Sequence, residues 1–305
     1  MDKVLKAIGV DELLRKEFPK DYSWIEPAVL TKGGTLALGG QAKVGKSFVC
    51  LELCRALACG KPLFGNPDFI VPSQCKVLYI DAEMGERTDQ DRIKKIFGME
   101  FLEEYKDYLS ILPKEIGIQL NTREGIETLK AYIRGEKPDV LVLDPITFLY
   151  HKDENQAYEI NKLFFILAEL KKFGGPDMSI IFTHHFGKPP WQKQILRDYD
   201  PLSEYNFRGS SKWKDGADTL ITMQREKELS DTSWQIKMRF LSRHAASYPE
   251  GYAIFNEDGD LRVKWYHTCH KLPKLKRVKA EGTVKTEKQG IIRFSDVFAE
   301  ATKDD

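Results

Sequence analysis

The sequence predicts an α/β domain with a mostly parallel central sheet, flanking helices and antiparallel strands towards its C-terminal end. Short apolar runs alternate with amphipathic segments, the pattern of strands joined by crossover helices. One apolar run leads directly into a glycine-rich turn and a helical segment. The 305 residues, 42% of them hydrophobic and 30% charged, are enough for one large domain of ordinary globular composition.

The secondary structure can be assigned along the chain from these two patterns. Apolar runs of strand length predict strands, and apolar residues recurring every three or four positions predict helices. The predicted strands cover residues 35–38, 76–81, 139–144, 179–183, 219–223, 233–240 and 252–255, and the predicted helices cover 47–59, 124–134 and 155–173. The first helix should end at Gly60, since Pro62 follows closely. In the last helix one stripe is apolar and consists of Ala157, Ile160, Leu163, Phe164, Leu167 and Leu170.

Composition divides the chain into three segments. We expect residues 1–27 to form an N-terminal helical appendage, residues 28–265 the main domain, and residues 266–305 a basic linker or tail. Between residues 271 and 288, seven Lys or Arg and two Glu give a net charge of +5. Such a segment binds nucleic acid or acts as a solvated linker. The final stretch GIIRFSDVFAEATKDD looks like the start of a small helical element, which predicts a further module.

The hydrophobic pattern predicts no membrane segment. No apolar run reaches the roughly 18 residues that span a bilayer. The first twenty residues mix acids and bases and lack the apolar core of a signal peptide. We therefore expect a cytoplasmic protein without a membrane partner.

The stretch GGQAKVGKSF has the glycine, lysine and serine spacing of a phosphate-binding loop. Its two glycines allow a tight turn that brings backbone N–H groups to phosphate oxygens. Lys46 supplies positive charge, and the Ser47 hydroxyl is a Mg²⁺ ligand at the start of a helix. The sequence therefore predicts ATP and Mg²⁺ as cofactors. The residues expected to bind them are Gly40, Gln41, Ala42, Lys43, Val44, Gly45, Lys46, Ser47 and Phe48.

Carboxylates follow two of the predicted strands. Asp144 ends the apolar strand VLVLD, where a Mg²⁺ ligand is needed just beyond the sheet. Pro145 occupies the position directly after Asp144, and proline has no group that can accept a proton. The base that activates an attacking water must therefore come from another part of the chain. Glu83, in YIDAEM after the strand that follows the phosphate-loop helix, is the candidate base. Asp81 is the competing carboxylate, and we expect it to orient or cap.

Two histidines in tandem, His184 and His185, follow the strand SIIFT. Ligands bind at the carboxyl ends of strands in open α/β sheets. A polar side chain here can contact the terminal phosphate and report its loss to the next loop, so both histidines are candidate catalytic residues. A metal site is the alternative, but no suitably spaced Cys or Asp supports it.

Five motifs occur in the order GGQAKVGKS, YIDAE, LVLDP, FTHHFGK and RGSSKWKDGAD. Together they resemble the RecA/DnaB-type ATPase core, which implies a RecA-like P-loop fold. The paired histidines and the later Arg-Gly-Ser-Ser make the chain most similar to the RepA-like plasmid and phage helicases. The resemblance covers about residues 28–265.

The resemblance implies a role for each matching residue. Glu83 would be the catalytic base, Asp144 the Mg²⁺ carboxylate and His184 the sensor of the γ-phosphate. Family members form six-membered rings with ATP at subunit interfaces, so a homo-oligomeric ring, a hexamer, is expected. Arg208 matches an arginine that reaches the phosphate of the neighbouring subunit. Arg243, in FLSRH, matches the place of a second basic finger.

The long polar stretch 187–207 bears on whether the protein binds DNA, which separates the two main functional hypotheses. Its basic and aromatic residues suit single-stranded DNA, although three acidic residues dilute their charge; the candidates are Lys188, Trp191, Lys193 and Arg197. One hypothesis is a 5′ to 3′ helicase acting on single-stranded DNA, for which a replication protein is a candidate partner. The other is a RecA-like switch or remodelling ATPase acting on a protein partner. A small-molecule kinase is weaker, because a water-activating Glu favours hydrolysis.

Overall fold

The computed structural model describes residues 7–17, 22–99, 102–189, 199–209, 211–230, 233–244, 250–256 and 264–267. The helices are α1 (Val10–Arg15), α2 (Lys46–Cys59), α3 (Glu86–Phe97), α4 (Leu102–Tyr105), α5 (Arg123–Glu136), α6 (Ile146–Leu149), α7 (Ala157–Gly174) and α8 (Lys212–Asp215). The strands are β1 (Ser23–Ile25), β2 (Leu30–Thr31), β3 (Thr35–Gly40), β4 (Val77–Asp81), β5 (Leu109–Leu112), β6 (Val140–Asp144), β7 (Ser179–His185), β8 (Thr219–Ser230), β9 (Ser233–Ser242), β10 (Gly251–Asn256) and β11 (Lys264–His267). Each predicted strand and helix is present, and several are longer than predicted.

A nine-stranded sheet carries the other elements, in the order β11-β10-β9-β8-β3-β7-β6-β4-β5. Strands β8, β3, β7, β6, β4 and β5 pair in parallel. Strands β9, β10 and β11 continue the sheet with antiparallel pairing. This architecture confirms the predicted mostly parallel sheet with antiparallel C-terminal strands.

Alternating side chains divide the core between the two faces of the sheet. Leu36 and Leu38 of β3 pack in one cluster, together with residues of α2. Ala37, which lies between them, packs in the other cluster with residues of α5 and α7. Because helices cover both faces, the parallel strands are apolar along nearly their whole length, which is why they were predicted correctly.

The strand register brings the predicted functional residues to one edge of the sheet. Gly40, at the end of β3, pairs with His185 on one side and Met223 on the other. Asp81, at the end of β4, pairs with Asp144 at the end of β6. The carboxyl ends of parallel strands meet at the same edge, so the phosphate loop, the histidine pair and the acidic residues converge there.

Helix α7 carries the apolar stripe predicted from its sequence. Ile160, Leu163, Leu167 and Leu170 are buried. Phe164 is only partly buried, although it packs against the same cluster, and Ala157 at the start of the stripe is exposed. Helix α2 ends as predicted, at a glycine in the left-handed conformation.

Other elements were not predicted, among them α3, β5 and the β1–β2 hairpin. Helix α3 is mostly polar and buries only Asp89, Ile96 and Phe97, so it offers few apolar residues from which a helix could be predicted. Within the segment expected to be an N-terminal appendage, α1 buries no residue. The side chains of Trp24 and Ile25 nevertheless belong to the core. Core packing thus begins before residue 28. The boundary between the N-terminal appendage and the main domain, placed between residues 27 and 28, stays a prediction.

Two further predictions concern the chain ends and the membrane. Residues 268–305, most of the predicted basic tail, lie outside the described residues. Among the residues that the structure does describe, no helix combines the length and the apolar character needed to cross a bilayer.

Candidate functional site

The phosphate-binding loop connects β3 to α2 at the residues predicted for it. Its backbone is left-handed at Lys43 (φ 61°) and at Gly45 (φ 102°), and the second position favours a residue without a Cβ. A Cβ added to Gly40 would lie 2.9 Å from the carbonyl oxygen of Met223. Glycine therefore lets the loop approach β8 closely and leaves a concave turn ahead of the first helical residues. Such a turn fits an anion held by backbone N–H groups.

The Lys46 side chain is held inside this loop. It is 6% exposed, and its Nζ donates hydrogen bonds to the carbonyl oxygens of Gly40 (3.1 Å) and Gln41 (2.9 Å). Burial lowers the pKa of Lys46 to about 8, against the opposing influence of the Asp144 and Glu83 carboxylates. The lysine is thus charged at neutral pH and lies within the electrostatic range of both carboxylates.

The His185 ring is the direct neighbour of that lysine. Its Nδ1 lies 3.1 Å from Lys46 Nζ. Burial, and secondly the charge of Lys46, lowers the pKa of His185 to about 4. The ring is therefore neutral at pH 7. Because Nδ1 accepts from an ammonium group, the ring proton lies on Nε2, which remains a hydrogen-bond donor.

The His184 ring, by contrast, is fully buried behind this position. Its Nδ1 lies 2.7 Å from the carbonyl oxygen of His185, and its ring centroid lies 4.0 Å from that of Trp213. Burial lowers the pKa of His184, although Glu154 opposes that effect. The structure thus brings His185, rather than His184, to the phosphate lysine. The sensing role expected of His184 stays a prediction, and its position suits support of its neighbour.

Asp144 lies at the bottom of the site and is 2% exposed. Tyr79 Oη donates to its Oδ2 at 2.6 Å, and the Thr183 hydroxyl donates to its Oδ1. Burial raises the pKa of Tyr79 well above its usual value, so the phenol keeps its proton and stays a donor. Each carboxylate oxygen retains a second lone pair. The hydroxyl of Ser47 and this oriented carboxylate are hard oxygen donors, which fits the Mg²⁺ ion that a triphosphate brings.

The predicted base lies on a short turn, residues 81–84, that we call the Glu83 turn. Asp81 Oδ1 accepts hydrogen bonds from the backbone N–H groups of Glu83 (2.9 Å) and Met84 (2.7 Å). The Glu83 side chain is exposed, and within the described residues its carboxylate accepts no hydrogen bond. Asp81 therefore caps the turn, and Glu83 is left open to a water molecule.

Arg208 lies next to the histidine pair with its side chain 65% exposed. Its Nε lies 2.5 Å from Glu154 Oε1, and its backbone N–H donates to the His185 carbonyl oxygen at 3.0 Å. Glu154 also approaches His184 Nε2, at 3.6 Å. That contact with His184, ahead of the charge of Arg208, lowers the pKa of Glu154. A single carboxylate therefore connects the buried histidine to the exposed guanidinium.

The second predicted arginine lies elsewhere. Arg243 follows β9, whose last residue, Ser242, pairs with Thr219 at the start of β8. The phosphate loop follows the other end of β3, whose start lies beside Thr219. The exposed Arg243 guanidinium donates to the backbone oxygen of Asp215 at 2.5 Å. The structure thus does not bring Arg243 to the site of its own chain, and a role on a neighbouring chain stays a prediction.

Sequence reasoning missed several residues that shape the site. Thr183, Tyr79 and Glu154 orient the catalytic groups, and only Thr183 carried a usable signal, as a polar residue at the end of an apolar strand. Among the residues proposed for DNA, Lys188 is exposed directly after the site. The other three, Trp191, Lys193 and Arg197, lie outside the described residues.

A cavity of about 460 Å³ adjoins the phosphate loop on the β8 side. Its lining includes Lys43, Val44, Tyr199 and Arg225. Gln41, which also lines it, donates from Nε2 to the Gly187 carbonyl oxygen at 2.6 Å. The cavity is large enough for a nucleoside, and its position beside the loop makes it the candidate site for the base and ribose.

The His185 ring should make stability depend on pH. Its folded-state pKa of about 4 lies below the ordinary value of 6.5, so the unfolded chain takes up this proton first as the pH falls. The free energy of unfolding should therefore decrease between pH 6.5 and 4. His185→Gln should remove about 2 kcal/mol of that decrease by pH 4.5. Urea unfolding at several pH values measures the effect.

The matched control for this prediction is His151→Gln. His151 is an exposed histidine, and its replacement should leave the pH dependence as in the parent chain. A parallel pH dependence for His185→Gln and the parent chain would contradict the buried neutral state of His185.

The chain was compared with protein families, curated proteins and solved structures. The model of the AAA_25 family, described as an AAA domain, matches residues 4–190. No curated protein matches the chain. A solved structure, a KaiC-like protein from the hyperthermophilic archaeon Pyrococcus horikoshii OT3, is similar with 15% sequence identity and a TM-score of 0.48. That similarity covers 77% of this chain and 90% of the other.

The family match covers more than half of the chain, including the phosphate loop, the Glu83 turn, Asp144 and both histidines. The parallel sheet, the loop between β3 and α2 and the acidic residues at the strand ends are the features of a RecA-type nucleotide site. The chain belongs to the AAA_25 family and is a RecA-type P-loop ATPase.

Proposed function

We propose that this ATPase couples ATP hydrolysis to movement on single-stranded DNA, as a ring-forming helicase of the RepA/DnaB type. The observation that carries the proposal is the anchoring of the long loop 187–207 at the nucleotide site. Gly187, at its start, accepts a hydrogen bond from Gln41 of the phosphate loop. Directly after its end, the N–H of Arg208 donates to the His185 carbonyl oxygen.

This anchoring gives a route from hydrolysis to the loop. His185 contacts Lys46 with its ring and Arg208 with its backbone. Loss of the γ-phosphate would change what Lys46 and the His185 Nε2–H can bond. Lys46 contacts both residues that hold the loop ends, Gln41 at the start and His185 at the end, so the loop would move with the nucleotide state. A loop that moves with each hydrolysis cycle is what a motor needs to displace a bound strand.

The chemistry follows from the same side chains. Lys46 would neutralise the terminal phosphates, and the Glu83 carboxylate would take the proton of the attacking water. Ser47 and Asp144 would hold Mg²⁺, which supplies further charge neutralisation on the phosphates. Arg208 of an adjacent copy would stabilise the charge on the transferring phosphoryl group. This last role requires a ring, for which we propose six copies of the chain.

The first test is steady-state ATP hydrolysis with and without single-stranded DNA, at low and moderate salt. We expect DNA to raise turnover at least tenfold, and we expect the stimulation to fade with salt, because phosphate contacts release counterions. A double variant, Lys188→Gln with Lys193→Gln, should lose the stimulation and keep the basal rate. Strand displacement from a tailed duplex then tests unwinding directly.

The matched control removes two lysines of another surface, Lys94→Gln with Lys95→Gln, both exposed on α3. It changes net charge equally and should retain full stimulation. Turnover that is indifferent to DNA at both salt concentrations would refute the motor.

That outcome would favour the second candidate, a switch or remodelling ATPase acting on a protein. One feature supports it. The short helix α1 and the residues just before it expose large apolar side chains, which suit a protein partner more than a nucleic acid. They are Ile8 (54% exposed), Val10 (73%), Leu13 (47%) and Leu14 (81%).

A further inference from the structure

A buried pair of carboxyl groups lies behind the Glu83 turn, and the chemistry above does not use it. Asp81, at the end of β4, is 2% exposed, and Asp89, on the first turns of α3, is 7% exposed. Asp81 already uses Oδ1 to cap the backbone N–H groups of Glu83 and Met84. The orientation of the Asp81 carboxylate therefore determines where the Glu83 backbone lies.

The Asp81 carboxylate is held from the other side by α3. The buried Asp89 side chain interacts with it, and among the described residues Asp89 Oδ2 has no hydrogen-bond donor, so this oxygen is where a retained proton fits. Arg92, one turn later, places Nη1 3.8 Å from Asp81 Oδ2. Two buried carboxyl groups in contact cannot both be charged. One of them keeps its proton and donates a hydrogen bond to the other.

The proton belongs to Asp89. Burial, and then the contact with Asp81, raises the pKa of Asp89 to about 8. Burial also raises the pKa of Asp81, but the N–H groups of Met84 and Glu83 oppose that rise by stabilising its anion. The charged groups facing Asp89 are Asp81 on β4, Arg92 on its own helix and Glu115 after β5.

Arg92 extends the arrangement to the phosphate loop. Its guanidinium lies over the ring of Phe48, 5.1 Å from the centroid. Phe48 directly follows Ser47 on α2. One face of α3 therefore contacts both the cap of the Glu83 turn and the helix that begins at the phosphate-binding residues.

We propose that Asp89, supported by Arg92, is a positioning residue for hydrolysis: it donates a hydrogen bond that fixes the Asp81 carboxylate, and through it the Glu83 turn. This proposal rests on Glu83 acting as the base. Asp89 contacts neither nucleotide nor water in this role, so its loss should impair the chemical step and spare binding. The competing view is that Asp89 is merely a buried residue of the first turns of α3.

Two replacements separate these views. Asp89→Asn keeps the size and an N–H donor towards Asp81, whereas Asp89→Leu removes the donor. We expect kcat of Asp89→Asn within about twofold of the parent chain and kcat of Asp89→Leu at least tenfold lower. The KM for ATP and the binding of a non-hydrolysable analogue should change by less than twofold in both. Asp91→Leu, an exposed aspartate on the same helix, should be unchanged in every respect.

A measurement independent of turnover uses pH. The folded-state pKa of Asp89, about 8, lies above the ordinary 3.8. The folded chain then holds a proton that the unfolded chain releases, so this contribution to stability is lost as pH rises from about 4 to 8. The Tm of the parent chain should fall relative to Asp89→Asn by about 5 °C between pH 5 and 8.

Several outcomes would overturn the proposal. One is an unchanged kcat for Asp89→Leu, and another is an equal loss for Asn and Leu. Nucleotide binding that falls together with kcat would assign Asp89 to folding alone. If Asp89→Leu does not fold, the activity and pH-dependent Tm of Asp89→Asn still decide. A normal rate for Glu83→Gln would instead refute the base, and thus the proposed chemistry, rather than Asp89 alone.

Discussion

Glu83→Gln should retain ATP and almost stop hydrolysing it. The substitution preserves the shape of the side chain and removes the carboxylate that accepts a proton from water. General-base catalysis by a positioned carboxylate contributes about 10²–10⁴-fold, so we expect turnover to fall by at least a hundredfold. The backbone of residue 83 would remain capped by Asp81. Equilibrium binding of fluorescent ATP and single-turnover hydrolysis of radiolabelled ATP measure the two effects separately.

Two further variants serve as comparisons for this result. Glu86→Gln changes an exposed glutamate at the start of α3, close by in the chain, and should hydrolyse ATP normally. Lys46→Ala should lose binding as well as turnover, because it removes the charge held inside the phosphate loop. Normal hydrolysis by Glu83→Gln would show that another group activates the water. The alternative carboxylate of the turn, Asp81, is already used as a backbone cap.

The phosphate loop could be predicted because all of its requirements are local. Gly40 and Gly45 are required by the backbone itself, one by the closeness of β8 and one by a positive φ. Lys46 and Ser47 follow at fixed spacing on the same turn. The parallel strands could be predicted for a related reason: helices cover both faces, and apolar runs result.

The division of labour between the two histidines could not be predicted. The sequence suggested a strand ending at Thr183, but β7 continues through His185. Side chains alternate along a strand, so a shift of one residue exchanges the two environments. His185 faces the lysine of the phosphate loop, and His184 packs on Trp213. The position of each histidine relative to the phosphate loop depends on the register of β7 against β3.

The supporting residues depend on contacts between distant parts of the chain. Tyr79 reaches Asp144 because β4 and β6 are neighbours in the sheet, an order that the sequence does not reveal. Glu154 reaches His184 and Arg208 from the segment before α7. Asp89 lies on a mostly polar helix that has too few apolar residues to be predicted as part of the core. Such partners carry no local pattern, so a structure is needed to find them.

Arg208→Ala should leave nucleotide binding nearly intact and reduce turnover by at least a hundredfold. Arginines that reach a transferring phosphate from a neighbouring subunit contribute about 10³–10⁵-fold. Among the described residues the exposed Arg208 guanidinium pairs with Glu154 alone, so a neighbouring chain can approach its other side. Because Arg208 is exposed, the hypothesis to test is that it acts on an adjacent copy of the chain. Turnover and analogue binding of the purified variant provide the first comparison.

Mixing two inactive variants tests whether the arginine acts between subunits. An Arg208→Ala chain keeps Lys46, and a Lys46→Ala chain keeps Arg208, so a productive interface forms where the two meet in the correct order. Random mixing at equal amounts in a closed ring should restore about a quarter of parental turnover. The same mixture made with Arg243→Ala tests the second arginine, which lies at the opposite end of the sheet from its own phosphate loop. Restoration with Arg208→Ala would place the catalytic site at a subunit interface. Mixtures that form rings but stay inactive would confine Arg208 to its own chain, where Glu154 and the His185 carbonyl already hold it.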